Sequence, residues 1–194
     1  FDKIVSILDN KYKYELDESE KNGIRIVLDA FYLYNLRITY NGGSNYRFPT
    51  LGQLLRTTDS RGEQLNIFNS REKYQYIRQM HLENKIIPLT GNFAGSKALT
   101  EVADFLYEHK LKVSAYYVSN VERYLFRDGI FSNWVDNINK LPITDKTVFI
   151  RWTHDTNYLY SQMTRLQLFS SFFENYDAGK YYAYQDLINS VYIK

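Results

Sequence analysis

Three polar clusters each close an apolar run of strand length, and they hold the residues that could do chemistry. Thr90, Asn92 and Lys97 follow Ile86 to Leu89, Ser119, Asn120 and Glu122 follow Val113 to Val118, and Arg151, His154 and Asp155 end Thr147 to Trp152 and its continuation. As parallel neighbours, these runs would bring all three clusters to one edge of a sheet, where ligands sit in open α/β folds. Gly91 and Gly95 make the first cluster a strand-to-helix turn whose backbone amides could hold an anion, with Lys97 as charge partner. The same turn has a plainer reading, in which the glycines serve only the tight chain reversal and Lys97 is solvated.

Known chemical signatures narrow the field. Gly91 to Lys97 matches neither the phosphate-binding Gly-x-x-x-x-Gly-Lys-Ser/Thr spacing nor the Gly-x-Gly-x-x-Gly dinucleotide pattern. Ser119-Asn120-Val121-Glu122 reads as a capping box, with Ser119 as N-cap and Glu122 reaching back. Alternatively, Asn120 and Glu122 contact a polar ligand. Glu122 lacks a second carboxylate at a spacing that would make a glycosidase pair. His154 is a base or an ordinary surface residue, and because adjacent side chains generally diverge, orientation of His154 by Asp155 is not implied. His81 and His109 lie too far along the chain to give a close ligand spacing, so no metal is expected. No Gly-x-Ser-x-Gly elbow marks a hydrolase.

Composition excludes further classes. In 194 residues, 24 Lys and Arg stand against 22 Asp and Glu, a net charge of +2 that gives no strong nucleic-acid signal. There is no cysteine, which removes disulfides, thiolate metal sites and cysteine nucleophiles. The 19 tyrosines offer apolar faces with polar tips, suited to interfaces or to the rim of a core. No run approaches the ~18 apolar residues of a transmembrane segment. The chain as given therefore reads as soluble, either cytoplasmic or exported and anchored through a segment preceding Phe1.

The elements that must position the clusters follow from periodicity and end signals. Residues 1–84 read as mainly helical. A first helix spans Phe1 to about Lys11, and a second is capped by Asp17 with Glu20 and carries Ile24, Val27, Leu28 and Phe31 for burial. That helix ends before a loop at Asn41 to Asn45. A short helix follows Thr50, and another opens at Asn69-Ser70. Residues 85–152 alternate strand and helix, with helices about Lys97 to His109, Asn120 to Phe126 and Phe131 to Lys140, the pattern of a parallel sheet. Residues 153–194 read as helical, with one long helix from Tyr158 to Phe173 and a shorter one over Tyr181 to Tyr192, broken at Ala178-Gly179. The expectation is a single α/β domain over 1–194 with a Rossmann-like parallel sheet flanked by helices.

Three collinear segments carry a resemblance: Ile87 to Ala98, containing Gly91-Asn92-Phe93-Ala94-Gly95-Ser96-Lys97-Ala98; Ser119-Asn120-Val121-Glu122-Arg123-Tyr124-Leu125; and Phe149-Ile150-Arg151. They resemble a poorly characterised bacterial family with a methyltransferase-like Rossmann fold, whose motifs run Gly-Asp-Phe-Ala-Gly-Pro-Lys-Ala, Ser-Asn-Val-Glu-Gln-Tyr-Leu and Phe-Ile-Arg. The chain looks like the C-terminal part of such a protein, incomplete at its N-terminus. The resemblance implies S-adenosylmethionine as cofactor and a ligand-binding set of Gly91, Asn92, Lys97, Ser119, Asn120, Glu122, Tyr124 and Arg151, with catalytic residues unassigned. Asn92 stands where the family has an aspartate, which removes an acid/base or hydroxyl-binding group. The alternative is a non-catalytic binding or interaction protein that uses a tyrosine-rich surface, its partner a small molecule or a protein.

Overall fold

Polar side chains at their first turns set most helices of the first half. The computed structural model describes residues 1–39, 48–154 and 162–190, and the chain divides into two compact units, Phe1–Ile87 and Pro88–Lys194. In the first unit, α1 (Asp2–Tyr12) ends on Lys13 in the left-handed region. Helix α2 (Glu18–Tyr34) starts at Asp17, whose carboxylate accepts from the Glu20 amide at 2.8 Å while the Glu20 carboxylate accepts from the Asp17 amide at 2.9 Å. Thr50 and Gln53 exchange the same pair of bonds at the start of α3 (Leu51–Arg56). The Ser70 hydroxyl accepts from the Lys73 amide to open α4 (Arg71–Leu82). Each cap satisfies amides that have no intrahelical acceptor.

This unit has almost no interior. Among its described residues only Thr39 and Gly52 are buried, and a Cβ added at Gly52 would crowd Leu36. Val27 and Phe31, expected to be buried, are 55% and 47% exposed, whereas Ile24 and Leu28 are half-buried. The expected loop at Asn41 to Asn45 lies outside the described residues.

The second unit holds the core and the sheet. Its elements are α5 (Ala98–Glu108), β1 (Ala115–Ser119), α6 (Val121–Arg127), α7 (Phe131–Ile138), β2 (Val148–His154), β3 (Gln162–Leu168), α8 (Phe169–Asp177) and α9 (Tyr184–Asn189). The strands lie in the order β1-β2-β3, with β1 and β2 parallel and β2 and β3 antiparallel. The expected Rossmann-like parallel sheet is thus corrected to a small mixed sheet with one parallel pair.

Two local errors explain the difference. Ile86 to Leu89 is not a strand: Pro88 has no amide to give to a ladder, and Ile87 and Leu89 are both exposed. The segment expected as one long helix contains β3, and α8 begins only at Phe169, while residues 155–161 lie outside the described residues. In β3 the polar Arg165 and Gln167 face the core side and Leu166 and Leu168 face away, so its alternation is inverted and does not read as a half-buried strand.

One face of the sheet packs on a cluster of rings. Phe149 and Phe169 stack with centroids 3.8 Å apart, and Trp134, Phe131 and Phe172 surround them at tilted or edge-on angles. Phe149, Phe169, Phe172 and Trp134 are fully buried. Such rings supply most of the apolar area a small unit can bury, with offset and T-shaped contacts adding to it. The opposite face carries two rows, Ala115-Val148-Leu168 and Tyr117-Ile150-Leu166, set by the strand register.

Candidate functional site

The parallel pair ends in a distorted turn that turns an acid inward. The β1–β2 register shifts between Tyr117 and Ser119, and Ser119 takes a left-handed backbone (φ 50°). A bulge with a non-glycine residue in this region is a conformation that surrounding structure must hold in place. The expected capping box is absent. Asn120, not Ser119, precedes the first turn of α6, and it makes no side-chain cap bond. Glu122 instead enters the interior.

Glu122 and Arg151 are both fully buried and face each other. The Arg151 Nε donates to both Glu122 carboxylate oxygens, at 2.9 and 2.8 Å. Arg151 Nη1 donates to Gln167 Oε1 at 2.6 Å, Gln167 Nε2 donates to the Tyr181 hydroxyl at 3.1 Å, and the Ser190 hydroxyl lies 3.2 Å from that oxygen. Ser190 Oγ also donates to the Leu187 carbonyl at 2.7 Å. The guanidinium lies over the rings of Phe149 at 4.2 Å and Phe172 at 5.5 Å. Its Nη2 is buried without a hydrogen-bond partner.

Burial governs the electrostatics. It pushes the Glu122 carboxyl above the ordinary glutamate value, while the charge and hydrogen bonds of Arg151 pull it back. The Tyr184 hydroxyl is raised first by burial and then by the negative charge of Glu122. Burial lifts Tyr116, whose hydroxyl lies 3.5 Å from Trp134 Nε1, to about 12. Taking a carboxylate and a guanidinium out of water is costly, so each depends on the other staying in place.

The remaining expected residues sit elsewhere in the unit or at its surface. Asn92 Oδ1 accepts from the Ala94 amide at 2.9 Å, and the Asn92 carbonyl accepts from Gly95 at 3.0 Å, which closes a local turn. Gly91 lies so close to the Ala98 side chain that no Cβ fits there. The turn is anchored by Asn137, which donates through Nδ2 to the carbonyls of Phe93 at 3.0 Å and Gly95 at 2.7 Å. Lys97 is exposed and pairs at 3.7 Å with Glu101 one helical turn on. Tyr124 is exposed, with the Arg127 guanidinium 5.1 Å from its ring centre.

The structure therefore brings Glu122 and Arg151 together, with Ser119 in register beside Arg151. The hydrogen bonds of the Gly91 to Lys97 turn run to α7. Sequence reasoning missed Gln167, Tyr181 and Asn137. A polar residue flanked by leucines, as in Leu166-Gln167-Leu168, was the available signal for Gln167. Asp155 lies outside the described residues, and the same holds for the side chain of His154. Among the described residues no group of three or more His, Asp or Glu is placed to hold a metal, and no helix is long and apolar enough to cross a membrane.

A family model described as a domain of unknown function, DUF7790, matches residues 9–187, and the chain belongs to that family. An uncharacterised family is what the sequence resemblance implies, but the match carries no methyltransferase relation. No curated protein matches the chain.

Proposed function

We propose that this member of the DUF7790 family is a non-catalytic interaction protein whose contact surface is the sheet face turned away from the aromatic core. One observation carries the reading. Across that face Tyr117, Leu166 and Leu168 are 63%, 43% and 37% exposed, beside Val148 and Ile150 in the same rows. A strand such as Val148-Phe149-Ile150, apolar on both faces, suits a sheet that is covered on both sides. An exposed apolar surface rimmed by polar groups is a usual place for a protein partner to dock.

In this reading the expected ligand set has structural roles. Glu122 and Arg151 support the strand ends from inside, and Gly91, Asn92, Ser119 and Asn120 shape turns. This reading gives S-adenosylmethionine no role. A nucleoside ribose is commonly held by an acid, and Glu122, the one acid in the set, gives both its oxygens to Arg151 Nε.

Two measurements test the proposal. Calorimetry with S-adenosylmethionine and with its demethylated product is expected to show no heat of binding, and a dissociation constant near about 1–100 µM for either would overturn it. The dye 8-anilinonaphthalene-1-sulfonate should bind the folded protein, and Leu166→Thr with Leu168→Thr should weaken that binding several-fold without lowering the melting temperature. Dye binding unchanged by those substitutions would remove the open face as the contact surface.

A further inference from the structure

Strand β1 is an edge, since its only ladder among the described residues is with β2. The Ser114 carbonyl accepts from the Val148 amide at 3.1 Å, and Ala115 lies opposite Val148. In a parallel ladder this turns Ser114 and Tyr116 toward β2, so the N–H and C=O of Ala115 and Tyr117 point the other way. Both residues are exposed. Ala115-Tyr116-Tyr117-Val118-Ser119 contains neither a charged residue nor a proline, which are common protections against edge-to-edge pairing. The shift between Tyr117 and Ser119 confines the open ladder to Ala115 through Tyr117.

The complement of such a ladder is another extended backbone, and we propose that it is β1 of a second copy, antiparallel across a two-fold axis at Tyr116. Centring there sets Ala115 against the partner's Tyr117 and Tyr117 against the partner's Ala115. That gives two hydrogen-bonded pairs flanking one non-hydrogen-bonded pair, the antiparallel repeat. On the open face each ring then lies beside a methyl group, large against small. Continued outward, the register places Ser114 against the partner's Val118, Val113 against the partner's Ser119 and Lys112 against the partner's Asn120, so no like charges oppose. A surface that matches itself in this way is what a two-fold dimer requires. The pairing uses the edge rather than the open face, and it stands even if the reading of that face fails.

The chain has no cysteine, so Ala115→Cys and Tyr117→Cys proteins can be prepared separately and mixed. In a hydrogen-bonded antiparallel pair the Cα atoms are about 5.5 Å apart, within the span of a disulfide. Under mild oxidation the mixture is expected to form a cross-linked heterodimer about tenfold faster than either variant forms a homodimer, because pairing raises the effective concentration of one thiol at the other. Sedimentation velocity of the unaltered protein from about 1 to about 100 µM should show a monomer–dimer equilibrium. Tyr117→Pro removes only an outward amide, and Ala115→Lys places a charge on the edge, so both should shift that equilibrium to monomer. Near-UV circular dichroism confirms that each variant is folded, and Ala115→Lys keeps the test decisive if the proline variant is not. A protein that stays monomeric throughout overturns the proposal, as does a dimer that survives both substitutions or equal cross-linking in all three mixtures.

Discussion

In Phe1–Ile87, three of the four α-helices described begin on an N-cap side chain that accepts from their first turn; in Pro88–Lys194 none of α5 to α9 has such an N-cap, although Asp186 of α9 accepts from the Tyr182 and Ala183 amides. Burial is distributed the other way. Every apolar residue of the buried core lies in the second unit, and α1, α2 and α4 bury none of their residues. Helices α2, α3 and α4 have strong local ends and little or no buried face, whereas α5 to α8 contribute to the core without a side-chain cap. A cap and a buried face are alternative ways to offset the cost of ordering a short helix.

The largest expected effect tests the second unit. Trp134→Ala removes a fully buried ring against Phe131, Phe149 and Phe172, and should cost about 3–5 kcal/mol in urea unfolding followed by the near-UV signal. The comparison breaks if the loss is below about 1 kcal/mol, the scale of a surface change. Glu122→Ala leaves Arg151 as an uncompensated buried charge and should also cost about 3–5 kcal/mol. Exchanging both partners, Glu122→Leu with Arg151→Met, should recover most of that stability, which separates charge from packing.

Smaller effects sharpen the contrast. Gly91→Ala drives a methyl group into the Ala98 side chain and should cost about 1–3 kcal/mol, a backbone effect in a turn held by Asn137. In the first unit, Ser70→Ala removes the acceptor for the Lys73 amide and should cost about 1 kcal/mol, seen as lost helical signal at 222 nm with the near-UV spectrum unchanged. Alkaline pH is the gentlest probe. Tyr116 is raised from 10.0 to about 12 in the folded state, so the stability linked to its protonated form is complete below pH 10 and is lost as pH rises through about 12. A phenolate titration at 295 nm should show several tyrosines lagging, Tyr184 among them, and Tyr116→Phe should remove the last component, near pH 12.

The same contrast explains what could be read from sequence. Asp17, Thr50 and Ser70 act within three residues of themselves, and all three helix starts were visible. Strands β1 and β2 were visible as apolar runs. Strand β3 was not, because its inward residues are polar and their reason is Arg151, a residue on another strand. Glu122 failed in the same way: its spacing from Ser119 fits a local cap, but its partner lies on β2. Glu122 and Arg151 could each be singled out from the sequence, whereas their pairing with each other could not. Contacts between distant parts of the chain leave no local period to read.

The network around Arg151 also bears on synthesis. Its members come from α6, β2 and β3 and then from Tyr181 and Ser190, which follow them in sequence. During translation the guanidinium emerges well before the residues that complete its surroundings, whereas the helices of Phe1–Ile87 can form as soon as they leave the ribosome. The network of the second unit therefore stays incomplete until residue 190 has left the ribosome. Contacts of long sequence separation are slow to close and expose apolar surface meanwhile. A nascent chain exposed outside the ribosome only as far as residue 180 would present Phe149, Phe169 and Phe172 to chaperones, and one exposed through Ser190 could hide them.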